Sequence, residues 1–188
     1  MKTKITLVLL LTAFLAANVN AQKTGKSEKY GTTLNAGFGI GYYGYIGHSA
    51  PVIHADLELD VAKNFTLAPF ITYLSYTNYY YWGNNQNPYR NYKYKQTIMP
   101  IGVKGTYYFD QVLGASSKWD FYLAGSLGFA IKKTTWEDGY GGVTKVENGS
   151  SGLYLDGHIG TEYHLTNKVG LFLDLSSGIS TAGVAFHL

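Results

Sequence analysis

The sequence contains no cysteine, a single arginine and only four prolines among 188 residues, and charged side chains make up just 14% of it. Without cysteine there is neither a disulfide scaffold nor a thiolate metal site. An average soluble domain is roughly a quarter charged. A charge-poor chain with 16% aromatic residues is the reverse of the composition that keeps a chain disordered. Long apolar runs are also missing after the N-terminus. No later stretch approaches the roughly 18 consecutive apolar residues of a membrane helix, so helical spans beyond the N-terminal segment are excluded. What is plentiful is glycine (23) and tyrosine (18). The mean hydropathy of −0.08 implies that apolar and polar residues are interspersed rather than blocked.

Residues 1–21 read as an export signal. Lys2 and Lys4 precede an apolar stretch from Ile5 to Ala17, and Val19-Asn20-Ala21 is a small-residue cleavage site. The stretch is too short to span a bilayer. Cleavage before Gln22 removes two lysines and no acid, leaving 13 basic against 12 acidic residues, a net charge of +1. That balance gives no basis for nucleic-acid binding. Export without cysteine fits an envelope protein. Residues 22–31, rich in Lys, Gly and Ser, read as a flexible mature terminus, and residues 32–188 as one domain.

From Thr32 onward the side chains alternate with the two-residue period of strands. Leu34, Ala36, Phe38 and Ile40 oppose Thr33, Asn35, Gly37, Gly39 and Gly41; Ile53, Ala55, Leu57 and Leu59 oppose His54, Asp56, Glu58 and Asp60. A third segment, about 66–76, alternates poorly. A fourth sets Thr97, Met99, Ile101, Val103 and Tyr107 against Gln96, Lys104, Thr106 and Tyr108. Four more follow, around 121–131, 153–164, 169–176 and 181–188, which makes eight strands. Most are about 9 to 13 residues long, the length of tilted membrane strands rather than of the shorter soluble ones.

On the seven clearly alternating strands the apolar face holds no Asp, Glu, Lys, Arg or His. The other face carries Asp56, Glu58, Asp60, Lys104, Asp156, Glu162 and Asp174 with four of the five histidines. A soluble sandwich or barrel turns its apolar face inward, whereas a small membrane barrel turns it outward to lipid. Strand length, export and connection lengths favour the second arrangement. Loops are expected at 44–50, 77–93, 133–151 and 176–180 on one side, and turns at 61–65, 110–118 and 165–168 on the other, with the two longest connections in the first set and a relatively long turn at 110–118 in the second. The expected fold is therefore an all-β, eight-stranded, antiparallel up-and-down transmembrane barrel. Its lumen would be filled by side chains, as eight strands leave no channel. The glycines of the first strand are expected to make room for Tyr108, Tyr122 and Tyr154. Aromatics near strand ends, such as Tyr107, Trp119 and Tyr163, fit interfacial girdles.

The signal segment, the eight alternating strands, the stretch Ile98-Met99-Pro100-Ile101-Gly102-Val103-Lys104-Gly105-Thr106-Tyr107-Tyr108-Phe109, and the final strand ending Gly183-Val184-Ala185-Phe186-His187-Leu188 carry a family likeness. The chain resembles the small outer-membrane β-barrel proteins of Gram-negative bacteria, of the OmpX/OmpA-barrel type, over essentially all of 32–188. That resemblance implies residence in the outer membrane, contact with its lipid and lipopolysaccharide, and insertion by the barrel-assembly machinery.

Several motifs point elsewhere. Gly39-Ile40-Gly41-Tyr42-Tyr43-Gly44 matches the dinucleotide fingerprint, but its glycines lie in a strand rather than at a helix start. His54-x-Asp56-x-Glu58 and Asp156-x-His158…Glu162-x-His164 place ligand-type side chains on common faces. They read as a lumenal hydrogen-bond and salt-bridge network around Lys104, together with Asp174, rather than as a metal centre, and no cofactor is assigned. A lipid-modifying enzyme is a further alternative, but no spacing of nucleophile, base and carboxylate is visible, and such triads are recognised by geometry. A soluble exported barrel holding a small apolar ligand is the competing class.

The segment 78–93 is the most informative of the loops. Tyr79, Tyr80, Tyr81, Trp82, Tyr89 and Tyr92 accompany Arg90, the chain's one arginine. Aromatics with arginine are the composition of binding hot spots, so this loop is expected to meet an extracellular glycan or protein. Segment 133–151 reads as mobile and solvated. The resulting expectation is a non-catalytic barrel with a structural or surface-interaction role.

Overall fold

Alternation at period two becomes one closed sheet. The computed structural model describes residues 31–42, 49–142 and 152–188. The expected signal peptide, nearly all of 22–31, most of the first loop and residues 143–151 lie outside the described residues. The strands are β1 (Thr32–Gly41), β2 (Ala50–Ala62), β3 (Phe65–Asn84), β4 (Asn87–Tyr108), β5 (Trp119–Trp136), β6 (Leu153–His164), β7 (Val169–Ser176) and β8 (Ile179–His187). A one-turn helix, α1 (Asp110–Leu113), sits between β4 and β5. Each strand pairs antiparallel with the next, and β8 closes on β1 from Thr33↔His187 to Gly41↔Ile179. Closure leaves no unpaired sheet edge in the band where all eight strands pair, the condition for a sheet in hydrocarbon.

The barrel is inside out. Phe38 is 74% exposed, Ile53 66%, Phe129 68% and Leu155 68%, all on the outer wall. Asp56, Glu58, Lys104, Asp156, Glu162 and Asp174 are buried in the lumen. Water would not tolerate so continuous an apolar exterior, and lipid requires one. This is a transmembrane barrel, and the soluble alternative fails on the same observation.

The third segment alternates poorly because apolar residues lie on both faces. Ala68, Phe70 and Leu74 point inward while Ile71 and Tyr73 point out. Phe70 and Leu74 belong to an apolar plug with Val52, Tyr76, Ile98 and Tyr154 that fills the half of the lumen farther from the termini. Polar residues fill the other half. The room left by Gly37 and its partner Gly183 is taken by Phe172. A Cβ at Gly37 would come within 2.8 Å of that ring. Tyr108, Tyr122 and Tyr154, expected there, are spent on hydrogen bonds to carboxylates instead.

Strand lengths are uneven. β3, β4 and β5 run 20, 22 and 18 residues, against 8 and 9 for β7 and β8. Since about 9 to 11 tilted residues cross the hydrocarbon, roughly half of each long strand stands clear of the membrane. The excess lies at the end opposite both termini. The segment 77–93 is therefore not a loop. It continues the β3–β4 ladder through Thr77↔Lys95, Tyr80↔Tyr92 and Trp82↔Arg90, and only Asn85 and Gln86 turn. Asn84 Oδ1 accepts from the backbone N–H groups of Gln86 and Asn87 at 2.9 and 2.8 Å, fixing that tip. Likewise the start of 133–151 is strand, since β5 runs to Trp136. At the opposite end, Asn64 takes a left-handed φ of 57° in the short β2–β3 turn, a conformation Asn tolerates.

Candidate functional site

Inward positions of β1 to β4 bring the first lumenal group together. Lys104 Nζ lies 2.9 Å from Asp56 Oδ2, and His54 Nε2 lies 2.9 Å from the same oxygen. Asn35 donates to Asp56 at 2.9 Å and to Glu58 at 3.3 Å, while Tyr108 (2.7 Å) and Thr66 donate to Glu58. Buried carboxylates require such partners. The expected network around Lys104 thus holds His54, Asp56 and Glu58.

Asp156, His158 and Asp174 form a second group. His158 Nδ1 contacts Asp174 Oδ1 at 2.7 Å, and His158 Nε2 contacts Ser126 Oγ at 2.9 Å. Tyr122 also donates to Asp174, at 3.2 Å. Asp156 fastens the β7–β8 turn, accepting from the Ser176 and Ser177 hydroxyls and the Ile179 N–H at 2.8, 2.6 and 3.0 Å. Ser126, His158 and Asp174 have the connectivity of a hydrolytic triad, which linear spacing does not display. Yet Ser126 is only 6% exposed, its hydroxyl buried against His158.

Glu162 joins neither group. It lies at the terminal end of the lumen, 2.8 Å from His187 Nε2 and 3.8 Å from His164 Nδ1. Asp120 holds the other nitrogen of His164 at 2.8 Å. His187 was not distinguishable as a partner in the sequence, because it reaches Glu162 past the intervening β7 and meets Thr33 only through closure of β8 on β1.

The projecting hairpin sorts its aromatics by face. Trp82 and Tyr92 point inward and pack edge-to-face at 5.8 Å, and both meet Tyr140, at 5.1 and 5.2 Å. Tyr140 stacks on Trp136 at 3.8 Å and an interplanar angle of 11°, and Tyr80 meets the edge of Trp136. Tyr92 is fully buried. Arg90 lies 4.2 Å above the Tyr92 ring and 3.2 Å from Glu137. Contact with Tyr92 and the Glu137 carboxylate raises its already high pKa, so it stays charged. Tyr79, Tyr81 and Tyr89 form the outer face and are 61%, 64% and 66% exposed, with Tyr81 and Tyr89 5.9 Å apart. Of the seven residues expected in a binding loop, Trp82 and Tyr92 are therefore structural, and the exposed set is Tyr79, Tyr80, Tyr81, Tyr89 and Arg90.

Fold and lining together define a small transmembrane β-barrel with a filled lumen and one long external hairpin. No protein-family model and no curated protein matches the sequence. Among solved structures, the chain is similar to a de novo designed transmembrane β-barrel, with 11% identity, a TM-score of 0.49 and coverage of 86% of this chain and 99% of that one. It is also similar to Neisserial surface protein A (15%, TM-score 0.48, 84% and 96%). A third likeness is to Ail of Yersinia pestis, solved with the heparin analogue sucrose octasulfate (4%, TM-score 0.47, 82% and 96%). These are likenesses of fold.

Proposed function

We propose that the protein is an outer-membrane β-barrel of a Gram-negative bacterium, exported by residues 1–21 and inserted by the barrel-assembly machinery. In this reading it has no catalytic role and acts through its external hairpin on an extracellular glycan or protein. The observation that carries the reading is the row of exposed tyrosines, Tyr79, Tyr81 and Tyr89, on a paired hairpin that stands clear of the apolar band. Loose aromatic loops lose entropy on binding, whereas rings on a hydrogen-bonded ladder are already in place. Flat phenol faces suit stacking on sugar rings, and the Arg90 guanidinium nearby supplies charge.

Lipopolysaccharide fits as the surrounding partner. Lys93, Lys95 and Lys133 share the outward face just beyond Met99 and Ile131, at the height where the lipid anions of the outer leaflet would lie. The test replaces Tyr79, Tyr81 and Tyr89 together by Ser, leaving Trp82 and Tyr92 intact. Binding of cells or of purified barrel to glycan and protein arrays is expected to fall at least tenfold with the yield of folded barrel unchanged. Unchanged binding removes the hairpin from the function.

A further inference from the structure

We infer that the terminal end of the lumen is a divalent transition-metal site, with His164 Nδ1, His187 Nε2 and a Glu162 carboxylate oxygen as ligands. The inference is independent of what the hairpin binds. Asp120 and Glu162 stand directly opposite each other on β5 and β6, both facing inward. Like charges in that position repel, and here two imidazoles are set between and beside them. One ligand atom from each of Glu162, His164 and His187 lies within 4.8 Å of the others. Ligand atoms around a tetrahedral ion with bonds of about 2.0–2.2 Å are about 3.3–3.6 Å apart. The 2.8 and 3.8 Å separations from Glu162 bracket that range, and the separation between the two imidazole nitrogens is at most 4.8 Å.

The outer partners make the case stronger than the cluster alone. His164 turns its Nε2 to the Asp120 carboxylate at 2.8 Å, and an ionised carboxylate only accepts, so Nε2 carries a proton and the neutral ring presents a bare Nδ1 to Glu162. His187 turns its Nδ1 to the Thr33 hydroxyl at 3.0 Å, leaving Nε2 toward Glu162. Each imidazole is thus held by its far nitrogen and aims its near one at the same carboxylate, the arrangement that orients metal-binding histidines. The rings lie 28° from parallel at 5.0 Å. Gly170 is part of the cradle, because a Cβ there would fall 1.9 Å from a Glu162 oxygen. To ligate an ion through Nε2, His187 must carry its one proton on Nδ1, where the Thr33 hydroxyl oxygen 3.0 Å away can accept it. Three protein ligands leave a fourth position for water. Two imidazoles and a carboxylate suit Zn²⁺ or Co²⁺ rather than Mg²⁺ or Ca²⁺.

The test uses tag-free folded barrel in zwitterionic detergent micelles, titrated with Zn²⁺, with Co²⁺ as a spectroscopic probe. One Zn²⁺ per barrel is expected, with a visible Co²⁺ absorption band of four- or five-coordinate type. His187→Asn and His164→Gln should each weaken Zn²⁺ binding at least tenfold. Thr33→Val removes the hydroxyl that holds His187 Nδ1 and should weaken it by about 10- to 100-fold, in a variant that folds as the parent does. His54→Gln, in the other lumenal group, should bind as the parent does. Absence of stoichiometric Zn²⁺ binding, parental affinity in Thr33→Val and His187→Asn, or a loss confined to His54→Gln would each overturn the site.

Discussion

Lys104 shows how a single charge organises a lumen. Its ammonium is buried at 2.9 Å from Asp56, whose other partners are an amide and an imidazole. Removing one member of a buried pair leaves the other uncompensated, a loss of about 3 kcal/mol or more. Lys104→Ala should therefore lower the urea midpoint of the barrel clearly. Lys93→Ala, on an exposed lysine of the hairpin, should leave it in place. Equal midpoints would mean that Asp56 is satisfied without the cation. Ser126 makes the complementary point: hydrolase connectivity without access. A fluorophosphonate probe should leave Ser126 unlabelled in the folded barrel, and stoichiometric labelling would reveal an open path to it. The inward side of each of these residues was legible from alternation alone. Their partners were not, because Lys104 to Asp56 and His187 to Glu162 each reach past an intervening strand, a meeting set by register and shear rather than by spacing along the chain.

At the scale of the element, the β3–β4 hairpin illustrates how polar composition can hide a strand. Asn78, Asn84, Asn85, Gln86, Asn87 and Pro88 read as loop, yet tyrosine is a strong strand former, and here the ladder continues to Trp82↔Arg90. What makes it stand is its inner face. Trp82, Tyr92, Trp136 and Tyr140 form a ring cluster above the lumen, and burial pushes the Tyr140 phenol up from its ordinary pKa. Because Tyr140 lies beyond the end of β5, it ties the 137–142 segment to the hairpin. Tyr140→Ser should expose that segment to protease cleavage while the denaturation midpoint of the barrel stays put. Tyr89→Ser, on the outer face, should leave the cleavage pattern unchanged. Cleavage that is equal in the two variants would mean that the cluster does not anchor the segment.

The whole molecule is governed by one inversion, charge inside and aliphatic outside, and that much was legible in the sequence because period-two alternation separates the faces on seven of the eight strands. Alternation fixes faces but not heights. On strand position alone Leu171 would serve as a mid-membrane residue. The register places it opposite Tyr163, whose ring packs with Trp119 at 4.8 Å, so Leu171 lies at the aromatic girdle near the terminal end. Leu127 instead pairs with Leu155, between Leu123 and Ile131 on its own outer face, at the centre of the apolar band. Both side chains are about half exposed, so burial does not distinguish them and depth does. An arginine on the lipid face costs about 2–4 kcal/mol at the midplane and roughly 0–1 near an interface. Leu127→Arg should therefore lose about 2–4 kcal/mol of folding free energy in lipid vesicles, and Leu171→Arg no more than about 1. The measurement is reversible denaturant titration in vesicles. If the two arginines cost the same, the apolar band is not centred where the register places it. If neither costs anything, the outer wall does not meet lipid at all.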